Sequence, residues 1–215
     1  MLNQLIFSNN VAGLKLKVQS LKCQLKATNA AIFTLQETHS SKEGRFAIFG
    51  YEIFESIRKN KKDGGTAVGV HKSLNPWLVK KYNDEFELLV IQAEIHGKKV
   101  RILSGYGPQE TWPESERLPF FAALEEEILN SRLNGIPVIL QMDANSKLGP
   151  DFKKDDPHPQ SANGFILAGI LERHNLVVAN GLIHKCKGSI TRKRETVFNT
   201  EKNIIDFVIL SMCVQ

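Results

Sequence analysis

Short apolar runs recur along the whole chain, and they restrict its fold more than any other feature of the sequence. The runs are rich in β-branched and aromatic residues and are separated by Gly, Asn and Pro, which indicates β-strands. We predict strands at residues 4–8, 31–36, 51–57, 65–71, 88–95, 99–105, 138–142, 176–179 and 204–210. His96 and Gly97 are a hairpin signal between two of these runs, because glycine adopts the positive φ angle of a tight turn.

Three stretches between the strands have apolar residues at helical spacing. They are marked by Leu14, Leu21 and Leu25, by the run 119–129 with Phe120, Leu124 and Ile128, and by the run 164–174. Residues 149–163 contain three prolines and several charges, which favours a long exposed loop. Because helices alternate with strands and no repeat or linker interrupts them, we predict one α/β domain spanning residues 1–215.

The composition excludes several classes of protein. Hydrophobic residues make up 42% of the chain and charged residues 24%, as in ordinary globular proteins, so global disorder is excluded. No apolar run reaches the roughly 18–20 residues needed to cross a bilayer. Residues 1–10 also lack the basic region and cleavage site of a signal peptide. We therefore expect an intracellular protein that does not span a membrane.

The cysteines and the net charge limit which disulfides, metal ions and binding partners the chain could have. Cys23, Cys186 and Cys213 are odd in number and far apart, which argues against a disulfide framework and a zinc site and favours small, buried or half-buried apolar residues. The net charge of +5 is uneven, with basic stretches at 15–26 and 185–194 and an acidic stretch at 110–127. This distribution permits a polyanionic partner but does not require one.

Polar residues stand repeatedly at the ends of predicted strands, where enzymes built on sheets gather their sites. These residues are Asn10, Glu37, Tyr106, Asp143 and Asn145. Taken singly, Asn10 fits a turn or helix cap, Glu37 a solvated loop acid, and Asp143 an Asx turn. Taken together, they supply the oxygen ligands, the base and the donors that a hard divalent cation and a phosphate ester require. Asp206 differs, because it lies inside an apolar strand, where a carboxylate must be partnered.

Five segments that carry these residues resemble the endonuclease/exonuclease/phosphatase superfamily. They are Asn-Val-Ala-Gly-Leu at 10–14, Leu-Gln-Glu-Thr-His at 35–39, Gly-Tyr-Gly-Pro at 105–108, Met-Asp-Ala-Asn-Ser at 142–146 and Ile-Asp-Phe at 205–207. The resemblance extends over nearly the whole chain. It is greatest to the apurinic-type endonuclease domains that non-LTR retrotransposons carry ahead of their reverse transcriptase. It implies a DNase I-like fold, a two-sheet α/β sandwich flanked by helices, with its site at one rim.

The same resemblance implies a role for each site residue in Mg²⁺-dependent nicking of DNA. Glu37 would bind Mg²⁺, or Mn²⁺, with Asn10 beside it supporting the phosphate and the metal. Asp143 would orient and deprotonate the attacking water, and Asn145 would donate to the phosphoryl group. Tyr106 would donate to a phosphate oxygen in the transition state. Asp206 matches a carboxylate that holds a catalytic histidine in position.

That histidine belongs to a Ser-Asp-His motif on a later strand, and none of the six histidines in this chain follows Ser-Asp. We therefore expect the C-terminal strand of the fold to be missing. Two alternatives to an active endonuclease stay open. One is a catalytically defective remnant that binds nucleic acid, and the other is a phosphatase or phospholipase of the same superfamily.

The remaining expectations concern partners. Arg192, Lys193 and Arg194 form the core of a basic run that fits either DNA phosphates or a solvated hairpin. Trp77 and Trp112 fit core packing or loop anchoring better than stacking on a base. We expect a monomer in the nucleus that acts on DNA, with a reverse transcriptase following in a longer polyprotein.

Overall fold

The computed structural model describes residues 3–40, 42, 44, 46–57, 64–82, 86–152, 156, 158–180, 192–195, 200–203 and 206–211. The chain divides into two compact units, Met1–Tyr106 and Gly107–Gln215. The single domain expected from the sequence stays a prediction. None of the helices in the described ranges has the length and apolar character needed to cross a membrane.

The first unit opens with a four-stranded sheet and one helix. Its elements are β1 (Asn3–Asn10), α1 (Val18–Thr28), β2 (Ala30–Gln36), β3 (Tyr51–Ser56) and β4 (Thr66–His71). The strand order is β1-β2-β4-β3, with β1 parallel to β2 and the other neighbours antiparallel. Helix α1 makes the crossover that a parallel pair of strands requires.

Three antiparallel strands complete the first unit, after a 3₁₀ turn at Lys72–Leu74. They are β5 (Trp77–Tyr82), β6 (Glu87–Ile95) and β7 (Lys98–Tyr106), paired in the order β5-β6-β7. The predicted hairpin turn joins β6 to β7, with positive φ angles at both His96 and Gly97. Strand β7 faces the four-stranded sheet, because the hydroxyls of Thr66 and Ser104 lie 2.9 Å apart and share a hydrogen bond. Two sheets therefore pack face to face in this unit.

The core of the first unit lies around β2 and α1. Strand β2 is buried along its whole length, as expected for a nearly continuous apolar run. Helix α1 buries Leu21 and Leu25 and ends at Asn29, whose left-handed backbone stops the helix. The Phe33 ring lies over Gly69 of β4, where a Cβ atom would lie 2.1 Å from the ring. Only glycine fits at that crossing.

The second unit combines two long helices with antiparallel strands. Its elements are α2 (Glu114–Leu133), β8 (Val138–Asp143), α3 (Ala162–Arg173), β9 (Leu176–Val178), β10 (Arg192–Glu195), β11 (Thr200–Asn203) and β12 (Asp206–Ser211). Strand β12 lies between β8 and β9 and is antiparallel to both. Strands β10 and β11 form a separate antiparallel pair.

The Glu125 carboxylate of α2 joins this helix to the C-terminal end of α3 through hydrogen bonds. Nε and Nη2 of Arg173 donate to the two carboxylate oxygens of Glu125 at 2.8 and 3.0 Å, and Nε2 of His174 lies 3.1 Å from Oε1. The hydrogen bond from Arg173 lowers the pKa of Glu125, and the same bond raises the pKa of Arg173. We call these three residues the Glu125 clamp.

Most predicted elements are present. Every predicted strand from 4–8 to 176–179 has a counterpart, and β12 matches the described part of the run 204–210. Strands β5, β10 and β11 were not predicted. Strand β5 has exposed apolar residues followed by two lysines and a register shift after Leu78, so it lacks a clear alternating pattern.

Three predictions about individual stretches were wrong. Helix α1 begins at Val18 rather than near Leu14, because the Leu14 amide donates to the Thr38 carbonyl at 3.0 Å. The stretch 149–163 is not simply exposed, since Asp156 is buried and accepts from the amides of Gly149 and His158, both at 3.1 Å. Cys23 is exposed rather than buried, whereas Cys186 and Cys213 lie outside the described residues.

The start of α2 also differs from the prediction. The helix begins at Glu114, and Pro119 lies inside it. Proline there removes the amide that would bond to the Ser115 carbonyl, and Ser115 is exposed.

Candidate active site

The parallel pairing of β1 and β2 brings two of the predicted residues together. Asn10 and Gln36 are the last residues of their strands and are direct partners in the register, and Glu37 follows Gln36. The Asn10 side-chain amide donates to Oε1 of Glu37 at 2.9 Å. The hydroxyl of Tyr106, the last residue of β7, donates to the same oxygen at 3.3 Å. We call Asn10, Glu37, Tyr106 and the nearby His39 the Glu37 group.

The backbone around Glu37 is held in an unusual conformation. Glu37 and His39 have positive φ angles of 53° and 50°, which is unfavourable for residues with a Cβ atom by roughly 1–2 kcal/mol each. The amides of Thr38 and His39 donate to the carbonyls of Gly65 and Gly64 at 3.1 and 2.9 Å. A Cβ atom on Gly65 would lie 2.4 Å from the Thr38 hydroxyl, so the two segments pack closely. These contacts compensate for the strain and fix the direction of the Glu37 side chain.

His39 is part of the Glu37 group although it was not among the predicted site residues. Its Nε2 lies 3.8 Å from Oε2 of Glu37, and both side chains are partly exposed, 31% for His39 and 26% for Glu37. The sequence offered one indication that His39 belongs to the site, namely its position two residues after Glu37. An extended strand would also have placed both side chains on one face, but the bent backbone makes the contact here.

The Glu37 group fits a hard divalent cation. Asn10 and Tyr106 donate hydrogen bonds to Oε1 of Glu37, while Nε2 of His39 lies 3.8 Å from Oε2. A partly exposed carboxylate with an amide beside it suits Mg²⁺, which usually binds one or two carboxylates and keeps several waters. Within the described ranges, no three or more His, Cys, Asp or Glu residues are grouped to hold a metal ion.

Asp143 and Asn145 form a second group, at the end of β8. Asp143 is the last residue of the strand and only 1% exposed. Its Oδ1 accepts from the Asn145 amide at 3.0 Å, and Asn145 has a positive φ of 44°. The Asx turn considered from the sequence is therefore present, and it presents both side chains from one tight loop. We call Asp143, Asn145 and Gly107 the Asp143 group.

Gly107 connects this loop to the segment that follows Tyr106. Its amide donates to the Asp143 carbonyl at 2.7 Å, and its own carbonyl accepts from the Asn145 side chain at 2.8 Å. A Cβ atom at position 107 would lie 2.5 Å from the Ala144 carbonyl oxygen. The close approach of the two backbones therefore requires glycine at position 107.

The remaining predicted residues are described through their backbones only. Asp206 is the residue of β12 directly opposite Asp143 of β8 in the antiparallel register. Arg192, Lys193 and Arg194 lie on β10, which pairs antiparallel with β11. The positions of the side chains of all four residues lie outside the described part of the structure.

The two tryptophans differ, and Trp77 is neither packed in a core nor part of a loop. Trp77 lies on β5 and is 40% exposed, while Trp112 is half-buried and its carbonyl accepts from Nε of Arg117 at 3.0 Å. This hydrogen bond ties the backbone of the loop before α2 to the helix.

Comparison with solved structures identifies the fold. The endonuclease domain of TRAS1, a telomere-specific non-LTR retrotransposon, has a TM-score of 0.68 and 17% identity, covering 96% of this chain and 84% of that one. The 3′ phosphatase NExo from Neisseria, bound to a product DNA hairpin, has a TM-score of 0.68 and 19% identity, with 96% and 86% covered. The catalytic domain of Xenopus laevis APE2 has a TM-score of 0.71 and 15% identity, with 96% and 82% covered. No family model and no curated protein matches the sequence.

These neighbours all belong to the endonuclease/exonuclease/phosphatase superfamily, and the chain has the DNase I-like fold of that superfamily. The two-sheet α/β fold predicted from the sequence is thereby confirmed. Within this class, the structures it resembles are nucleases and phosphodiesterases, among them a retrotransposon endonuclease.

Proposed function

We propose that this protein is a Mg²⁺-dependent phosphodiesterase that nicks DNA, of the type carried by non-LTR retrotransposons. The observation that carries this proposal is the convergence of Asn10 and Tyr106, which are far apart in the sequence, on one oxygen of Glu37. A carboxylate held by two neutral donors is oriented without being neutralised, so its second oxygen keeps its charge for a cation.

Glu37 would hold the cation, with Asn10 beside it. A bound Mg²⁺ would supply Lewis-acid stabilisation of the charge on a phosphate oxygen. Mn²⁺ shares the preference for oxygen ligands and would substitute for it.

The other side chains of the two groups would bind the phosphate and move the proton. Asp143, fixed at a strand end, would orient a water and accept its proton, and Asn145 would donate from its side-chain amide to a phosphoryl oxygen. The Tyr106 hydroxyl carries a single proton, so donating it to the phosphate requires leaving Glu37. The 3.3 Å contact between them is long enough to be exchanged readily.

DNA is the proposed substrate. One of the neighbouring structures contains a product DNA hairpin, and the basic residues Arg192, Lys193 and Arg194 of β10 would contact phosphates. We further propose that the protein acts as a monomer in the nucleus, alongside a reverse transcriptase in one polyprotein.

A second candidate function is nucleic-acid binding without cleavage. It stays open from the sequence, in which none of the six histidines follows Ser-Asp, the motif that the resemblance associates with a catalytic histidine. Removing one transition-state donor typically lowers kcat by about 10²–10³-fold, so this candidate predicts retained DNA affinity with little or no nicking.

The test is relaxation of supercoiled plasmid with Mg²⁺, Mn²⁺, Zn²⁺ or EDTA, beside a gel-shift measurement of DNA binding. We expect nicking with Mg²⁺ or Mn²⁺ and none with EDTA, and a loss of about 10²-fold or more in Glu37→Gln and Asp143→Asn. Glu125→Gln is the matched control, since it removes a carboxylate from the Glu125 clamp and leaves both groups intact.

Three results would discriminate between the candidates. Binding without nicking in the unaltered chain would support the second candidate. Nicking that persists in EDTA, or that is equal in Glu37→Gln and the unaltered chain, would contradict the metal-dependent mechanism.

A further inference from the structure

A buried asparagine behind Asn145 joins the two loops of the Asp143 group. Asn163 lies in the first turn of α3 and is fully buried. Its side-chain nitrogen donates to the Pro108 carbonyl at 2.8 Å and lies 3.4 Å from the Asn145 carbonyl. One amide group therefore contacts both the segment after Gly107 and the loop that carries Asn145.

The orientation of this amide is determined by its neighbours. The carbonyls of Pro108 and Asn145 can only accept hydrogen bonds, and Nη1 of Arg117, at 2.7 Å from the Asn163 oxygen, can only donate. The Asn163 backbone amide donates to Glu110 at 3.1 Å. The side chain therefore has one satisfied orientation and cannot turn over without losing these partners.

Close backbone packing makes the loop sensitive to this arrangement. A Cβ atom on Gly164, the residue after Asn163, would lie 1.8 Å from the Lys147 carbonyl oxygen. The Ser161 hydroxyl, which caps α3, accepts from the Lys147 amide at 2.9 Å. The start of α3 thus contacts the Asn145 loop directly, and a small shift of that turn is transmitted to the loop.

We propose that Asn163 is a positioning residue for Asn145, and that Arg117 acts through it by fixing the orientation of its amide. This inference rests on the proposed nuclease function, in which Asn145 donates to the phosphoryl group. Asn163 does not touch the substrate in this proposal. It sets where the Asn145 amide stands when the phosphate arrives, so its loss lowers kcat and leaves KM nearly unchanged.

The decisive variant is Asn163→Asp. It keeps the shape of the side chain and its contact with Arg117, but it replaces the donor nitrogen by an oxygen that faces two carbonyl oxygens. Arg117→Lys is the second variant, because one ammonium cannot reproduce the separate bonds from Nη1 to Asn163 and from Nε to the Trp112 carbonyl. Glu125→Gln is the control for α2–α3 packing, since it loosens the same two helices away from the loop.

Two readouts are measured on the full chain: steady-state nicking, and residue-resolved amide hydrogen exchange by NMR. For Asn163→Asp we expect kcat to fall at least tenfold with KM within twofold. We also expect the Gly107 and Asn145 amides to exchange at least tenfold faster. Arg117→Lys should show the same changes to a smaller extent, and Glu125→Gln should lower the melting temperature without either change.

The outcomes separate this inference from the proposed function. If the unaltered chain nicks and Asn163→Asp keeps its kcat, the positioning role is overturned. Equal losses of kcat in Asn163→Asp and in Glu125→Gln at equal melting temperatures would also overturn it. If the unaltered chain does not nick, the proposed function fails, and exchange alone decides whether Asn163 positions the loop. Unchanged exchange at Gly107 and Asn145 in Asn163→Asp would then overturn the inference.

Discussion

The Tyr106 hydroxyl offers the sharpest test at the scale of a single residue. Tyr106→Phe removes the donor to Glu37 and, in the proposed mechanism, the donor to the phosphate. Because the ring is 7% exposed and stays in place, we expect the melting temperature to change little while kcat falls by about 10²-fold. Single-turnover nicking beside a thermal melt measures both quantities.

Tyr82→Phe is the matched control, since Tyr82 lies at the end of β5 and is not part of the Glu37 group. Equal nicking rates for Tyr106→Phe and the unaltered chain would show that the hydroxyl only supports folding.

The strand-end positions of three candidate site residues were predictable from the sequence. Asn10, Tyr106 and Asp143 are each the last residue of a strand, within a few residues of the end of its apolar run. His39 and Asn163 were missed for a physical reason. Their contacts depend on a left-handed backbone at Glu37 and His39 and on the docking of α3 against a loop, and neither leaves a periodic pattern in the sequence.

At the scale of elements, the Glu125 clamp makes the α2–α3 packing dependent on pH. The folded pKa of Glu125 is lowered, chiefly by its hydrogen bond from Arg173. A lowered carboxyl pKa contributes stability above the unfolded value of 4.5, and this contribution is lost as pH falls through the folded pKa. We therefore expect Glu125→Gln to melt at a lower temperature than the unaltered chain at pH 7, and the difference to shrink below pH 4.5.

Thermal melts of both proteins from pH 7 to pH 3 check this expectation, and Glu126→Gln, which changes the adjacent exposed acid of α2, is the control. A difference that stays constant over the whole range would show that Glu125 acts through packing rather than charge.

Elements were predictable when their hydrophobic pattern was unbroken. Strand β2 is apolar along its length and was found, while β5 was missed because its exposed Trp77 and Leu78 are followed by a register shift and two lysines. Strand β5 is stabilised by its pairing with β6, and its side-chain pattern alone does not indicate a strand. The start of α2 was placed too late because the helical spacing used for the prediction begins only at Phe120.

At the scale of the whole molecule, the proposed function requires the Glu37 group and the Asp143 group to act in one reaction. Residues that act as a unit are strongly non-additive in kcat. We therefore expect Glu37→Gln combined with Asp143→Asn to lower kcat about as much as the more severe single variant.

The measurement is kcat for the two single variants and the double variant under single-turnover conditions. Losses that multiply would show that the two groups contribute independently and that the proposal of a shared reaction is wrong.

The left-handed backbone of Glu37 also has a consequence for how mutations at this position would be detected. A glycine there would relieve roughly 1–2 kcal/mol of strain and would raise the entropy of the unfolded chain by an amount worth about 0.4–1 kcal/mol. The relieved strain exceeds the entropy term, and the loss of the hydrogen bonds from Asn10 and Tyr106 offsets the remainder, so Glu37→Gly should leave the amount of folded protein in a cell almost unchanged. A mutational scan that scores abundance would rate position 37 as tolerant, and only a scan that scores nicking would register the loss.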